Sequence, residues 1–223
     1  DCGKITTPEY VVDKATKLET INNRIHEVRM RFEVLYRDAS IAYLEALADG
    51  KDREQAREVR DAEQARLQED FNFVANCNIG GEFMEPDDIE RLGRIAERTW
   101  LRYFNDRLGL SKDELSRMSG LMESEKLPVV ERLLADKESH IIPWRDGIPP
   151  VQEGNAGNIW GFRMKPPQRM YNYGEVYNLS VRRGTLTEEE RFKINDHIIQ
   201  TICMLSSLPL PKELRNVPNI AGN

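Results

Sequence analysis

Histidine and cysteine are scarce in this chain, with three of each among 223 residues. Cys2, Cys77 and Cys203 are odd in number and far apart, which excludes a disulfide framework and fits a reducing cytoplasm. Long apolar runs are missing too. Stretches such as I-I-Q-T-I-C-M-L fall far short of the roughly 20 residues a spanning helix requires, so no membrane insertion is expected. There is no basic excess either: the formal net charge is -6. That argues against a dedicated binder of nucleic-acid polymers, whose electrostatic footprint should be positive, and leaves room only for a local basic pocket for a small anion. What remains, 39% apolar and 31% charged residues, describes a folded cytoplasmic protein with one good-sized core or two small ones.

Mainly helical structure is expected. Leu18, Ile21, Ile25, Val28, Phe32, Leu35, Ala39, Ala42 and Ala46 alternate steps of three and four through a charged background, predicting a long helix with one apolar stripe that stops at Gly50. A second helix, from about Asp52 to Cys77, is rich in good helix formers and i,i+4 charge pairs. The four-residue turn Asp49-Gly50-Lys51-Asp52 folds the two back as an antiparallel hairpin over 18–78. Asn78-Ile79-Gly80-Gly81 breaks the pattern, and Pro86 opens a third helix expected over 86–108. Ser111 and Glu114 form a capping box for a short helix. Between 127 and 174, prolines, glycines and aromatic residues (Trp144, Trp160, Phe162, Tyr171, Tyr173) predict a long irregular segment packed on the rest. Helix returns after Thr187, an N-cap followed by Glu188, Glu189 and Glu190. Its stripe is Phe192, Ile194, Ile198, Ile202 and Leu205, and it stops before Pro209.

The histidines offer little by themselves. His26 lies beside the seam of a charged helix, and His140 in E-S-H-I-I-P has no partner at metal-ligand spacing. His197 sits in mid-helix, where a lone histidine is ordinarily a packing residue. The longer pattern is more specific. D-C-G-K at Asp1 to Lys4, then L-T-E-E-E leading to His197, then L-P-L-P-K-E-L-R-N-V-P-N-I-A, together resemble the HD-GYP family of metal-dependent phosphohydrolases, in the HD domain superfamily. Asp1, Gly3 and Lys4 match the second, fourth and fifth positions of its H-D-x-G-K motif. His197 matches the histidine on the helix that follows L-T-x-E-E, and Asn219-Ile220-Ala221-Gly222 matches the stretch leading to a later histidine pair. Asp1 therefore looks like the middle of a motif, and the chain like an excerpt whose missing ligands would stand before Asp1 and after Asn223. On its own such an excerpt is expected to bind metal weakly and to be inactive.

The resemblance implies an HD-type helical core in two pieces, 1–17 and 175–223, interrupted by an inserted segment over 18–174. Asp1 and His197 stand 196 positions apart, against a few tens in the usual pattern. It further implies two or three divalent metal ions, iron, manganese or similar. Asp1 would be a bridging ligand, His197 a terminal one, and Lys4 the cation that binds substrate and neutralises a phosphate oxygen. The implied reaction is hydrolysis of a cyclic dinucleotide, cyclic di-GMP, to pGpG or GMP. Trp160 or Tyr173 could stack on guanine, and Arg182 or Arg183 could reach a phosphate, although packing is the ordinary use of such aromatics. Two other readings stand beside it. One is a catalytically degenerate signalling or scaffold protein acting through helical contacts; under the hydrolase reading too, the inserted helices are expected to gate the metal site or to mediate a homodimer. The other is an HD-domain enzyme acting on a different phosphate ester.

Overall fold

The computed structural model of the protein describes residues 16–18, 22–81, 83–118, 126–144, 154–156, 158–217 and 220, with the backbone alone at 197, 198 and 200. It is mainly helical, as expected. Helix α1 spans Ile25–Ala48 and α2 spans Arg53–Ile79. The turn between them works as the sequence suggests: Gly50 takes φ 75°, and the Asp52 side chain accepts a hydrogen bond from Gln55 N at 2.9 Å. The two helices pack as an antiparallel hairpin with Phe32 and Phe71 edge to face at 5.4 Å. The hairpin begins later than expected. Leu18 is 94% exposed and outside α1, because of the seam only Val28 and Phe32 are fully buried and no core lies under its first member.

Helix α3 covers Pro86–Ala96 and buries Leu92, Ile95 and Ala96. These meet Val28, Phe32, Leu67, Val74, Leu133 and Leu134 in the main core, which sits at the open base of the hairpin. The helix expected to continue to 108 stops here. Thr99–Arg102 is instead strand β1, paired antiparallel with β2, Val129–Arg132, in the register Leu101↔Val130. The β-branched and aromatic T-W-L-R suits a pleated surface. Its inward Arg102 is buried and finds Glu131 on the partner strand at 2.6 Å, a contact some thirty residues away that local periodicity does not register. Arg98, just before β1, ties back to α2 by a hydrogen bond to Glu63.

The capped short helix α4 is Lys112–Arg117, with the Ser111–Glu114 box formed. The segment expected to be irregular over 127–174 holds more order than its composition implies. Besides β2 it contains a 3-10 turn at Glu138–His140 and strand β3, Ile141–Ile142, which pairs with β4, Tyr171–Asn172. A five-residue helix, α5, follows at Glu175–Leu179, and α6 runs Glu188–Ser207. Phe192 and Ile199 of α6 form a second, smaller core with Trp144, Phe162, Met164 and Cys203. Among the described residues no helix is long and apolar enough to cross a membrane.

Candidate functional site

Helix α6 is set by its first turn. Thr187 Oγ1 accepts from Glu190 N at 3.3 Å, and Glu190 Oε2 accepts from Thr187 N at 2.9 Å, which satisfies two donors the helix start would leave unpaired. The face it buries keeps Phe192 of the expected stripe but leaves Ile194 outside it. Glu189, Phe192, Asp196 and Ile199 are buried, Cys203 is half-buried, and Ile194 is 50% exposed. Their steps of three and four are as regular as those of an apolar stripe, but two members are carboxylates, so a reading that counts only apolar residues rotates the helix to the wrong face.

A buried carboxylate is costly unless partnered. Glu189 accepts from the Tyr177 hydroxyl at 2.9 Å. Burial first, and then the Glu189 hydrogen bond and charge, push the Tyr177 phenol up to about 12. Asp196 has Lys193 one turn back at 3.9 Å. Phe192 packs edge to face on Trp144 at 5.8 Å, while the Trp144 indole donates to Pro167 O at 3.0 Å.

Tyr177 belongs to α5, and α5 is held from three sides. Glu175 is buried and accepts from Arg31 Nη1 at 2.9 and 2.8 Å and from Ala135 N at 2.9 Å. The same Arg31 nitrogen donates to Leu133 O at 2.9 Å. Asp136 Oδ1 accepts from Val176 N at 2.9 Å and from Tyr177 N at 3.2 Å, capping the start of α5. Gly174 must be glycine for this approach, since a Cβ there would lie 2.7 Å from Asp136 Cγ. Hydrogen bonds thus run from the hairpin, through Arg31 and Glu175, to Tyr177, Glu189 and α6. A cleft of about 180 Å³ opens beside this junction, lined by Asn23, Arg24, Asn78, Glu175 and Asn178 among others. None of these residues was given a site role from sequence, because those roles come from partners far away in the chain.

Of the residues the resemblance assigns to the site, Asp1 and Lys4 lie outside the described residues, as do Cys2 and Gly3. His197 follows the buried Asp196 on α6, and only its backbone is described. The remaining histidines behave as ordinary residues. His26 is exposed and shares a hydrogen bond with Arg29 at 3.1 Å. His140 is half-buried, its Nδ1 3.3 Å from Lys137 N, and burial chiefly lowers its pKa, with Arg24 and Lys137 adding to this against Glu175 and Asp136. Tyr173 stacks on Tyr171 at 5.6 Å, with the Arg24 guanidinium 6.0 Å from its ring, and Trp160 lies 6.1 Å from Phe162. Both aromatics expected near a base are in contact with other aromatic rings of this chain. Arg182 and Arg183 are exposed in the turn before α6, whose Gly184 bridges to Gly81.

Among the described residues no group of three or more His, Cys, Asp or Glu side chains is placed to hold a metal ion. The buried carboxylates of α5 and α6 are engaged with Arg31, Tyr177 and Lys193 instead. The described side chains therefore do not by themselves fit a metal centre, and no catalytic step follows from them. No curated protein and no solved structure matches the chain. A family model does: the one described as HD domain matches residues 128–223, from the start of β2 through all of α6, and supports placing this part of the chain in the HD domain superfamily.

Proposed function

We propose that the protein acts as a divalent-metal-dependent phosphodiesterase of the HD-GYP type, with cyclic di-GMP as substrate. The observation that carries this reading is the HD domain match over 128–223, since HD domains are typically phosphohydrolases that bind divalent metals. The likeness of D-C-G-K at Asp1 to Lys4, and of the L-T-E-E-E approach to His197, to the HD-GYP pattern supports a phosphodiester as the substrate. In this reading Asp1 and His197 are the ligands the chain contributes, and Lys4 neutralises a non-bridging phosphate oxygen. A divalent metal held by Asp1 and His197 would supply an activated water for attack at phosphorus. The described structure supports the setting: Thr187, Glu189 and Phe192 fix the rotation of α6, and with it the backbone position of His197.

The test is metal content together with hydrolysis of cyclic di-GMP, measured on the protein expressed from its native gene. Asp1→Ala and His197→Ala should abolish turnover and lower bound metal. Lys4→Ala should lower kcat more than it raises KM, and His26→Ala should leave both nearly unchanged. Full turnover in Asp1→Ala would overturn the assignment, and hydrolysis of other phosphate esters in place of cyclic di-GMP would overturn the substrate alone. A second reading, a degenerate HD-type scaffold acting through helical contacts, is favoured by one observation: the buried carboxylates Glu175, Glu189 and Asp196 are engaged by Arg31, Tyr177 and Lys193 of the same chain.

A further inference from the structure

Helix α1 carries two stripes. The inner one, with Val28 and Phe32, packs on α2 and the core. On the opposite side Met30, Val34, Arg37, Ile41, Leu44 and Ala48 recur at steps of four and three without a break. Met30 is 63% exposed, Ile41 51% and Leu44 61%. Isolated exposed apolar residues are normal. A run of this length on strict 3.5-residue spacing is different, because that spacing keeps one seam facing one neighbouring helix.

We propose that this outer face pairs with the same face of a second copy of the chain, as a parallel two-stranded coiled coil over residues 30–48. The identity of the occupant follows from residue type and charge. The spacing puts Val34, Ile41 and Ala48 at a positions and Met30, Arg37 and Leu44 at d positions; β-branched Val34 and Ile41 at a with Leu44 at d favour two parallel strands. Acidic residues Glu33, Asp38 and Glu45 flank the seam, while Arg37 is a cation within it. Among the described residues Arg37 pairs with Glu33, at 3.8 Å, with both side chains largely exposed. A parallel second copy sets the two Arg37 side chains in one layer and brings each copy's Asp38 alongside the other's Arg37, so two carboxylates on the rim offset the two cations in the seam. A seam of about 28 Å, fewer than three heptads, gives a weak dimer, with dissociation in roughly the micromolar range. This inference does not depend on the proposed hydrolase activity.

Sedimentation equilibrium on the full chain, from roughly 1 to 300 µM, reads it directly. A concentration-dependent dimer is expected, and Ile41→Glu with Leu44→Glu should weaken it by at least ~100-fold. Helix content should be unchanged, because both side chains are already exposed within one chain. The single exposed change Arg37→Glu should weaken it as well. Ala48→Cys, with the three native cysteines replaced by serine, should cross-link between copies on oxidation. An antiparallel pair would hold those two positions about 27 Å apart, beyond the reach of a disulfide. A monomer at the highest concentration, a dimer indifferent to Ile41→Glu and Leu44→Glu, or absence of the cross-link in a folded Ala48→Cys protein would each overturn the proposal.

Discussion

Replacing Glu175 with alanine removes the group on which the hairpin, the Leu133–Ala135 segment and α5 converge. The carboxylate is buried and takes two contacts from Arg31 Nη1 and one from Ala135 N. Breaking a buried ion pair from one side costs about 3–5 kcal/mol. The lower end applies, because the Arg31 side chain is 20% exposed and keeps Leu133 O as an acceptor. The orphaned Ala135 N adds about 1 kcal/mol, for a total near 4 kcal/mol. At roughly 2–4 °C per kcal/mol for a chain of this size, the melting temperature should fall by about 8–16 °C. Glu175→Gln keeps an acceptor for both donors and should lose less than half as much. The assay is thermal and urea unfolding followed by circular dichroism, run as a double-mutant cycle with Arg31→Met. If the pair is coupled as described, the double variant is less destabilised than the sum of the singles by about 2 kcal/mol or more. Additive singles, or a Glu175→Ala cost under about 1 kcal/mol, would refute the claim that this pair holds the junction.

Two further predictions concern titrating groups. Tyr177, pushed up to about 12, should be among the last tyrosines to ionise in an absorbance titration. Its protonated form is favoured by folding, so that contribution is complete below the ordinary value of 10.0 and fades as pH rises towards 12. Tyr177→Phe should remove this high-pH component and cost roughly 1–3 kcal/mol at neutral pH, because Glu189 stays buried without its donor. Glu131 has the opposite sign. Burial would raise its pKa, but hydrogen bonds from Arg102 and Lys137 more than offset this and hold it below its ordinary 4.5. Its stabilisation is therefore present above pH 4.5 and lost as pH falls through the depressed value. Glu131→Gln should cost roughly 1–3 kcal/mol at pH 7, and the gap to the unsubstituted protein should narrow in acid unfolding below pH 4.5.

Local signals in the sequence located what local chemistry determines. Ser111 with Glu114, and Thr187, cap the helices they were expected to cap, since a cap depends on residues within one turn. The errors share a cause. Thr99–Arg102 was expected to be helix because its apolar residues extend the preceding period, and it is strand because Val129–Arg132 lies beside it. The buried side of α6 was placed through Ile194, whereas Tyr177, from a different element, makes Glu189 an inward residue. In each case the deciding partner is distant in sequence. The candidate site was legible only as a motif: Asp1, Lys4 and His197 were named by resemblance, while the junction of Arg31, Asp136, Glu175 and Tyr177 carries no motif at all.

The proposed chemistry depends on the beginning of the chain meeting α6. Anomalous diffraction from crystals of the natively expressed protein, grown with manganese and collected at its absorption edge, measures this most directly. The expected result is a metal peak coordinated, at about 2.0–2.2 Å, by both the Asp1 carboxylate and the His197 imidazole. A peak bound by neither residue, or Asp1 and His197 on separate surfaces, would contradict it.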